Sequence, residues 1–555
     1  MTGGSFSKVG VVGLGTMGAG IAEVLARGGL SVVGIEVGPE ALERGRGHLE
    51  SSTGRAVKRG RLTEEARREI LDRIAFSTQF ADLADCDLVI EAVPERLDLK
   101  RRVFAELDRV CKQEAVLATN TSSLSVTEIA ASTARPAQVV GVHFFNPAPV
   151  MKLVEVIRTV LSDPEAVARV AELASALGKT PVTIGDRAGF VANRLLFGYL
   201  NQATSMLENG HATRDDIDTA MTVGAGLPMG PFTLMDLIGL DTCLEVLEAI
   251  HAETRDRRHA PAPLLRELVA AGLLGRKTGR GFYDHGAAAK PTDKEEASPT
   301  PPTVGVAGTD PSALAVAAAC ARAGGRVRVT GEAVNAVREL LGDELGDELG
   351  DELGEDDALA RVETAEPDAF ADCDLVVVDE TAPLRAVGEA AGPDAVLAVA
   401  SATGPVIEHA AATGRPGDTV GLHLPETGGT LAEVATTALT APGVADRAAA
   451  LLAALGLTAV RCRDRAGFIV DALRFPYLND AAAMLAAGYA DADAIDAAMT
   501  LGCGYPSGPV ADLDRLGIDR AVTVLRALYA ETREAALAPS PLLEEHVRAG
   551  RRTLR

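Results

Sequence analysis

Short runs rich in β-branched and aliphatic residues alternate with helix-period stretches through the first third of the chain. The runs are Val9–Gly13, Ser31–Ile35, Leu88–Val93, Val116–Thr119 and Val139–Val142. Their alternation with helical patterns predicts a parallel sheet covered by helices. From Phe190 onward the period changes. Phe190, Val191, Leu195, Tyr199, Leu200, Met206 and Leu207 recur at helical spacing, which predicts an all-α domain after the sheet.

The whole two-domain pattern is written twice. Asp186-Arg-Ala-Gly-Phe-Val-Ala-Asn193 returns as Asp464-Arg-Ala-Gly-Phe-Ile-Val-Asp471, and Val223-Gly-Ala-Gly-Leu-Pro-Met-Gly-Pro231 as Leu501-Gly-Cys-Gly-Tyr-Pro-Ser-Gly-Pro509. Ala84-Asp-Cys-Asp-Leu-Val89 and Val140-Gly-Val-His143 return as Ala371-Asp-Cys-Asp-Leu-Val376 and Val420-Gly-Leu-His423. Four collinear matches indicate a tandem duplication. The expected division is a nucleotide-binding α/β domain at 1–185, a helical domain at 186–286 and a linker at 287–302. A second sheet domain at 303–463 and a second helical domain at 464–555 follow. The linker is rich in Ala, Lys, Glu, Ser, Thr and Pro and lacks apolar periodicity.

Composition narrows the function. The 555 residues carry a formal net charge of −24, which would repel nucleic acid and anionic membranes. No apolar run approaches the ~20 residues of a membrane span, and Met1 to Lys8 lacks the apolar core of a leader. With no Trp and 3% aromatics, aliphatic side chains must fill the cores. Seven scattered cysteines without CxxC pairs fit a reduced, cytoplasmic protein, and no metal-ligand set is expected.

Gly13-Leu-Gly15-Thr16-Met17-Gly18 follows a strand and opens a helix, the context of a dinucleotide fingerprint. Gly13 suits the tight turn, Gly15 the approach of a pyrophosphate, and Gly18 close helix–strand packing. The helix N-terminus adds free N–H groups and partial positive charge. Glu36 ends the second strand, placed to accept from ribose hydroxyls, and Val37-Gly-Pro39 supplies no Arg for a 2′-phosphate. NAD is therefore expected over NADP.

His143-Phe-Phe-Asn-Pro147 and Met151-Lys-Leu-Val-Glu155 are separated by a short loop. Histidine can take a proton from an alcohol near neutral pH, and a carboxylate on its other nitrogen would fix the tautomer. Further motifs are Glu91-Ala-Val-Pro-Glu95, Asn120-Thr-Ser-Ser-Leu124, Gly189-Phe-Val-Ala-Asn-Arg-Leu-Leu196, Gly226-Leu-Pro-Met-Gly-Pro231 and Lys277-Thr-Gly-Arg-Gly-Phe-Tyr283. Together, from Lys8 to Tyr283, they resemble the L-3-hydroxyacyl-CoA dehydrogenase family, which includes the 3-hydroxybutyryl-CoA dehydrogenases. The resemblance implies interconversion of (S)-3-hydroxyacyl-CoA and 3-oxoacyl-CoA with NAD, on short chains such as 3-hydroxybutyryl-CoA. It implies that His143 is the base, that Glu155 orients it, and that Ser122 and Asn193 hold the substrate. Glu95, Lys100 and Asn120 would line the cofactor site. A helical hairpin at this place contacts CoA in the family, so the basic stretch from Arg44 to Arg73, with Arg55 and Lys58, is expected to bind phosphates. Other readings are a different hydroxyacid dehydrogenase of the 6-phosphogluconate-like group, and an NAD-binding scaffold without turnover.

Copy two keeps the frame and loses the chemistry. Its turn reads Gly305-Val-Ala-Gly308-Thr-Asp-Pro311, with Asp310 and Ala313 at the second and third glycine positions. Asn120-Thr-Ser122 becomes Ala400-Ser-Ala402, and Asn193 becomes Asp471. His423 survives, and Glu433 is the candidate counterpart of Glu155 although the interval is shorter. The acidic repeat Gly342–Gly354 replaces the basic hairpin, and its frequent glycines argue against a stable helix. Copy two is expected neither to bind NAD nor to catalyse, and to replace a second subunit in an internal pseudo-dimer. Homo-oligomerisation through the helical domains is the alternative.

Overall fold

The computed structural model describes residues 6–286, 300–331, 333–348, 355–426 and 429–555. Most of the expected linker, 287–299, and the end of the acidic repeat, 349–354, lie outside them. Copy one opens with a sheet of eight strands. They are β1 (Lys8–Val12), β2 (Ser31–Ile35), β3 (Ile74–Ser77), β4 (Leu88–Glu91), β5 (Val116–Thr119), β6 (Val139–Phe144), β7 (Leu153–Arg158) and β8 (Thr180–Gly185). The order across the sheet is β3-β2-β1-β4-β5-β6-β7-β8. The first six are mutually parallel, because helices carry the chain back between them, and the central strands are buried throughout.

The sheet is parallel as expected except at β7. Only Phe145–Lys152 separates it from β6, too short for a crossover, so the two strands form an antiparallel hairpin. β8 then pairs parallel with β7. This hairpin sets His143 directly opposite Glu155.

Copy two repeats the arrangement strand for strand. Its strands are β9 (Val304–Ala307), β10 (Val327–Val329), β11 (Val362–Thr364), β12 (Leu375–Val378), β13 (Val396–Ala400), β14 (Thr419–His423), β15 (Leu431–Thr436) and β16 (Thr458–Arg463). The glycine-rich acidic segment does not stop a helix from forming. Ala333–Glu348 is helical because Ala333, Val334, Val337 and Leu341 bury one face in the sheet core. Tertiary packing outweighs the cost of about 1 kcal/mol for an interior glycine.

The helical halves meet along a seam. Helices Ala192–Glu208 and Val470–Ala486 lie side by side, with Tyr199 and Tyr477 rings 6.4 Å apart. Leu200 and Ala203 from one copy and Phe475 and Leu478 from the other belong to a single apolar cluster. Val470–Ala486 is buried almost all round, as a helix apolar on every side must be. Hydrogen bonds tie the seam as well: the backbone Arg463 N donates to His211 O at 2.8 Å, and the side-chain Gln202 Nε2 to Ala472 O at 2.7 Å. His211 Nε2 lies 2.9 Å from the Phe468 carbonyl, and burial lowers its pKa to about 4, so the ring is neutral and donates. Among the described residues no helix is long and apolar enough to cross a membrane.

Phe475 is fully buried in the shared cluster. Phe475→Ala should therefore destabilise the chain by about 3–5 kcal/mol. Because the chain has no Trp, denaturant unfolding followed by circular dichroism is the suitable measurement. A loss below about 1 kcal/mol would mean the seam is not packed as described.

Candidate active site

The β6–β7 hairpin creates a buried dyad. His143 Nδ1 lies 2.6 Å from Glu155 Oε2, and Glu155 is fully buried. A buried carboxylate needs partners on both oxygens. Oε1 accepts from the backbone N–H groups of Val191 and Ala192, both at 3.3 Å, at the start of helix Ala192–Glu208. One glutamate thus joins the histidine, the sheet and the helix that carries Asn193. The His143 ring sits between Phe145 and Phe190, with centroids 4.6 and 5.6 Å away. With Nδ1–H donating to the carboxylate, Nε2 keeps its lone pair, as a general base requires.

The Asn120–Leu124 loop is built from below. Glu95 Oε1 accepts from Thr121 Oγ1 at 2.5 Å and from the backbone N–H groups of Ser122 and Ser123 at 2.9 and 3.1 Å. Burial would raise the Glu95 pKa, but Lys100 and these donors together lower it, so the carboxylate is ionised. Lys100 is fully buried, with Nζ 2.8 Å from Glu91 Oε1, 3.4 Å from Glu95 Oε2 and 3.5 Å from Asn120 O. It lies beneath the loop, ion-paired with Glu91. Asn120 Oδ1 accepts from Phe144 N at 2.9 Å, which fastens the loop to the strand of His143. Ser122 and Asn193 are both half-buried.

The glycine turn fits a dinucleotide. Gly13 has φ +89°, and a Cβ there would meet the Ala92 backbone at 2.8 Å. A Cβ at Gly18 would collide with Gly13 O, whereas at Gly15 nothing lies within 4 Å. Gly15 and Thr16 are exposed, Met17 is half-buried, and no side chain caps helix Thr16–Arg27, so its first N–H groups remain for an anion. Glu36 Oε1 accepts from Leu14 N at 2.6 Å, bracing the turn from the end of β2.

The basic stretch folds into two helices, Pro39–Lys58 and Glu64–Asp72. Between the end of the first of these helices, with the turn that follows it, and the loop after His143 lies a cavity of ≈ 130 Å³, lined by Arg27, Arg55, Arg59 and Arg61 with Pro147 and Val150. Arg55 is on its wall, whereas Lys58 is not.

Copy two preserves the dyad geometry. His423 Nδ1 is 2.6 Å from Glu433 Oε2, and Glu433 Oε1 accepts from Ile469 and Val470 N–H at 2.9 Å. The shorter interval falls in the hairpin loop, so the strand register is unchanged. What differs is the surroundings. Asp471, in place of Asn193, puts Oδ2 3.6 Å from His423 Nε2 and is clamped by Arg474 and Arg520 at 3.0 and 2.9 Å. Burial alone would lower the His423 pKa, but Glu433 and Asp471 together raise it.

The copy-two turn is also filled. Asp379 Oδ2 accepts from Thr309 and Asp310 N–H at 2.6 and 2.9 Å, the donors a phosphate would need. Asp310, expected to point at the pyrophosphate, instead caps helix Pro311–Arg322 through Ser312 N at 2.8 Å. The residues of this turn do not fit NAD, because a carboxylate of the chain already occupies its donors.

The comparisons with known proteins agree with this duplicated plan. Residues 8–187 and 303–465 match the family described as 3-hydroxyacyl-CoA dehydrogenase, NAD binding domain. Residues 189–285 and 467–554 match its C-terminal domain. A probable 3-hydroxybutyryl-CoA dehydrogenase of Deinococcus radiodurans is 47% identical over 278 residues, covering 50% of this chain and 100% of that protein. The crystal structure of 3-hydroxybutyryl-CoA dehydrogenase from Escherichia coli K12 superposes with TM-score 0.76 at 30% identity. That match covers 98% of this chain and 99% of the other. An (S)-3-hydroxybutyryl-CoA dehydrogenase from Ralstonia eutropha matches 51% of this chain and 100% of its own at 44% identity, TM-score 0.50. The chain belongs to the 3-hydroxyacyl-CoA dehydrogenase family.

Proposed function

We propose that copy one interconverts (S)-3-hydroxyacyl-CoA and 3-oxoacyl-CoA with NAD, acting on short chains such as 3-hydroxybutyryl-CoA. The observation that carries this reading is the buried His143–Glu155 dyad beside an open glycine turn. His143 Nε2 takes the hydroxyl proton, while Nδ1–H stays on Glu155, which stabilises the imidazolium that forms. Ser122 and Asn193 hold the substrate oxygen and thioester. NAD, held by Gly13 to Gly18 with Glu36, supplies the hydride acceptor. Glu95, Lys100 and Asn120 act as positioning residues that fix the Ser122 loop against the strand of His143. Arg55, with Arg27, Arg59 and Arg61, provides the charge for CoA phosphates. Lys58 contributes to the local field alone.

Copy two serves as a built-in second subunit, supported by the seam and by the filled turn and dyad of its own half. The unpaired cysteines suit a reducing, cytoplasmic setting.

The direct test is NADH oxidation with a panel of 3-oxoacyl-CoA thioesters. His143→Ala should lower kcat by roughly 10²–10⁴-fold, and no turnover with any thioester by folded, NADH-binding protein would sink the reading. Arg55→Ala should raise KM for the CoA ester about 10-fold, the effect of losing one charge-assisted contact. The same variant should leave KM unchanged for an N-acetylcysteamine ester, which lacks the phosphates. Equal losses on both substrates would remove the phosphate assignment.

His423→Gln should leave kcat within twofold and instead change stability. Because the folded pKa of His423 is raised, its protonated form stabilises copy two below the unfolded value of about 6.5. That stabilisation is lost as pH rises through the folded value. The variant should therefore lower Tm more at pH 6 than at pH 9, and the opposite order would contradict the assignment.

A further inference from the structure

Copy two reaches the catalytic dyad of copy one. Its π-helical turn Ala498–Gly502 packs across the seam onto β7, the strand of Glu155. Gly502 approaches so closely that a methyl group on it would stand 2.8 Å from Leu153 Cδ2 and 3.2 Å from Phe145 Cε1. Both neighbours flank the dyad: Leu153 starts β7, and Phe145 rests against the His143 ring at 4.6 Å. The following residue, Cys503, is half-buried, and its thiol is pushed up to about 12 by burial and by the charge of Glu155. Copy two thus reaches, through Gly502, the two copy-one side chains that flank the dyad, Phe145 and Leu153.

The seam offers its own comparison. Gly224, the copy-one counterpart of Gly502, presses on Leu431, Val470 and Pro425 around the disused histidine of copy two. There the aromatic support is gone, since Pro425 stands where copy one has Phe145, and Ala225 replaces Cys503. The aromatic ring and the bare glycine occur together only on the side that keeps the catalytic surroundings.

We propose that Gly502 is a positioning residue for the copy-one reaction: its missing side chain lets Phe145 lie flush and hold the His143 ring in its working orientation. This rests on the reading that His143 is the base. A side chain at Gly502 must displace Phe145 or Leu153, and a shift of the base by a fraction of an ångström is felt in the chemical step more than in cofactor binding.

The test uses the full chain with Gly502→Ala, Gly502→Val and Gly224→Val, each checked by circular dichroism. Along the series Gly, Ala, Val at residue 502, kcat should fall progressively, by about 10-fold or more at Val. NADH affinity and the thioester KM should stay within twofold, and Gly224→Val should keep kcat within twofold. Should Gly502→Val fail to fold, Gly502→Ala must still lower kcat without moving KM. Unchanged kcat in the folded 502 variants, or an equal loss in Gly224→Val, would overturn the proposal. Full activity in His143→Ala would instead overturn the reading beneath it, so the two failures are distinguishable.

Discussion

The structure depends on where the carboxylate of Glu155 is held. Its two oxygens join three parts of copy one: the histidine on β6, the strand β7 on which it stands, and the first turn of the helix that carries Asn193. Such a carboxylate is tolerated at full burial because each oxygen has donors, and removing any of them would leave an uncompensated charge. The antiparallel hairpin is what brings the pair together, since a parallel crossover would have put β7 at another place and in another direction.

The same clamp persists in copy two. His423, Glu433 and the helix start keep their pairing, while Asp471, held by Arg474 and Arg520, stands beside His423 Nε2 in place of Asn193. The nucleotide turn has been closed in a comparable way, with Asp379 taking the N–H groups that a pyrophosphate needs. In both places the chain's own charged groups partner the donors and acceptors of the site. The apolar helices of copy two share one buried cluster with those of copy one along the seam.

Much of this was legible in the sequence, because repeats, fingerprint glycines and the His–Glu pair are local or collinear signals. The antiparallel turn of β7 was not, although the few residues between His143 and Lys152 contained the clue. Lys100 enters the sequence reading through the family resemblance alone, and its ion pair with Glu91 is legible only in three-dimensional packing. The helix that runs into the acidic repeat as far as Glu348 goes against the glycine frequency because Ala333, Val334, Val337 and Leu341, whose burial decides the matter, precede the repeat. Asp379 carried no motif at all. It occupies the position of Ala92, and its role appears only where β12 ends beside the turn.

The central claim is that one half of the chain is a working dehydrogenase and the other a sealed copy that supports it. Isothermal titration of the full-length protein with NADH tests this most directly. One NADH bound per chain is the predicted result, abolished by Gly15→Asp and unaffected by Asp379→Asn. Two NADH per chain would contradict it.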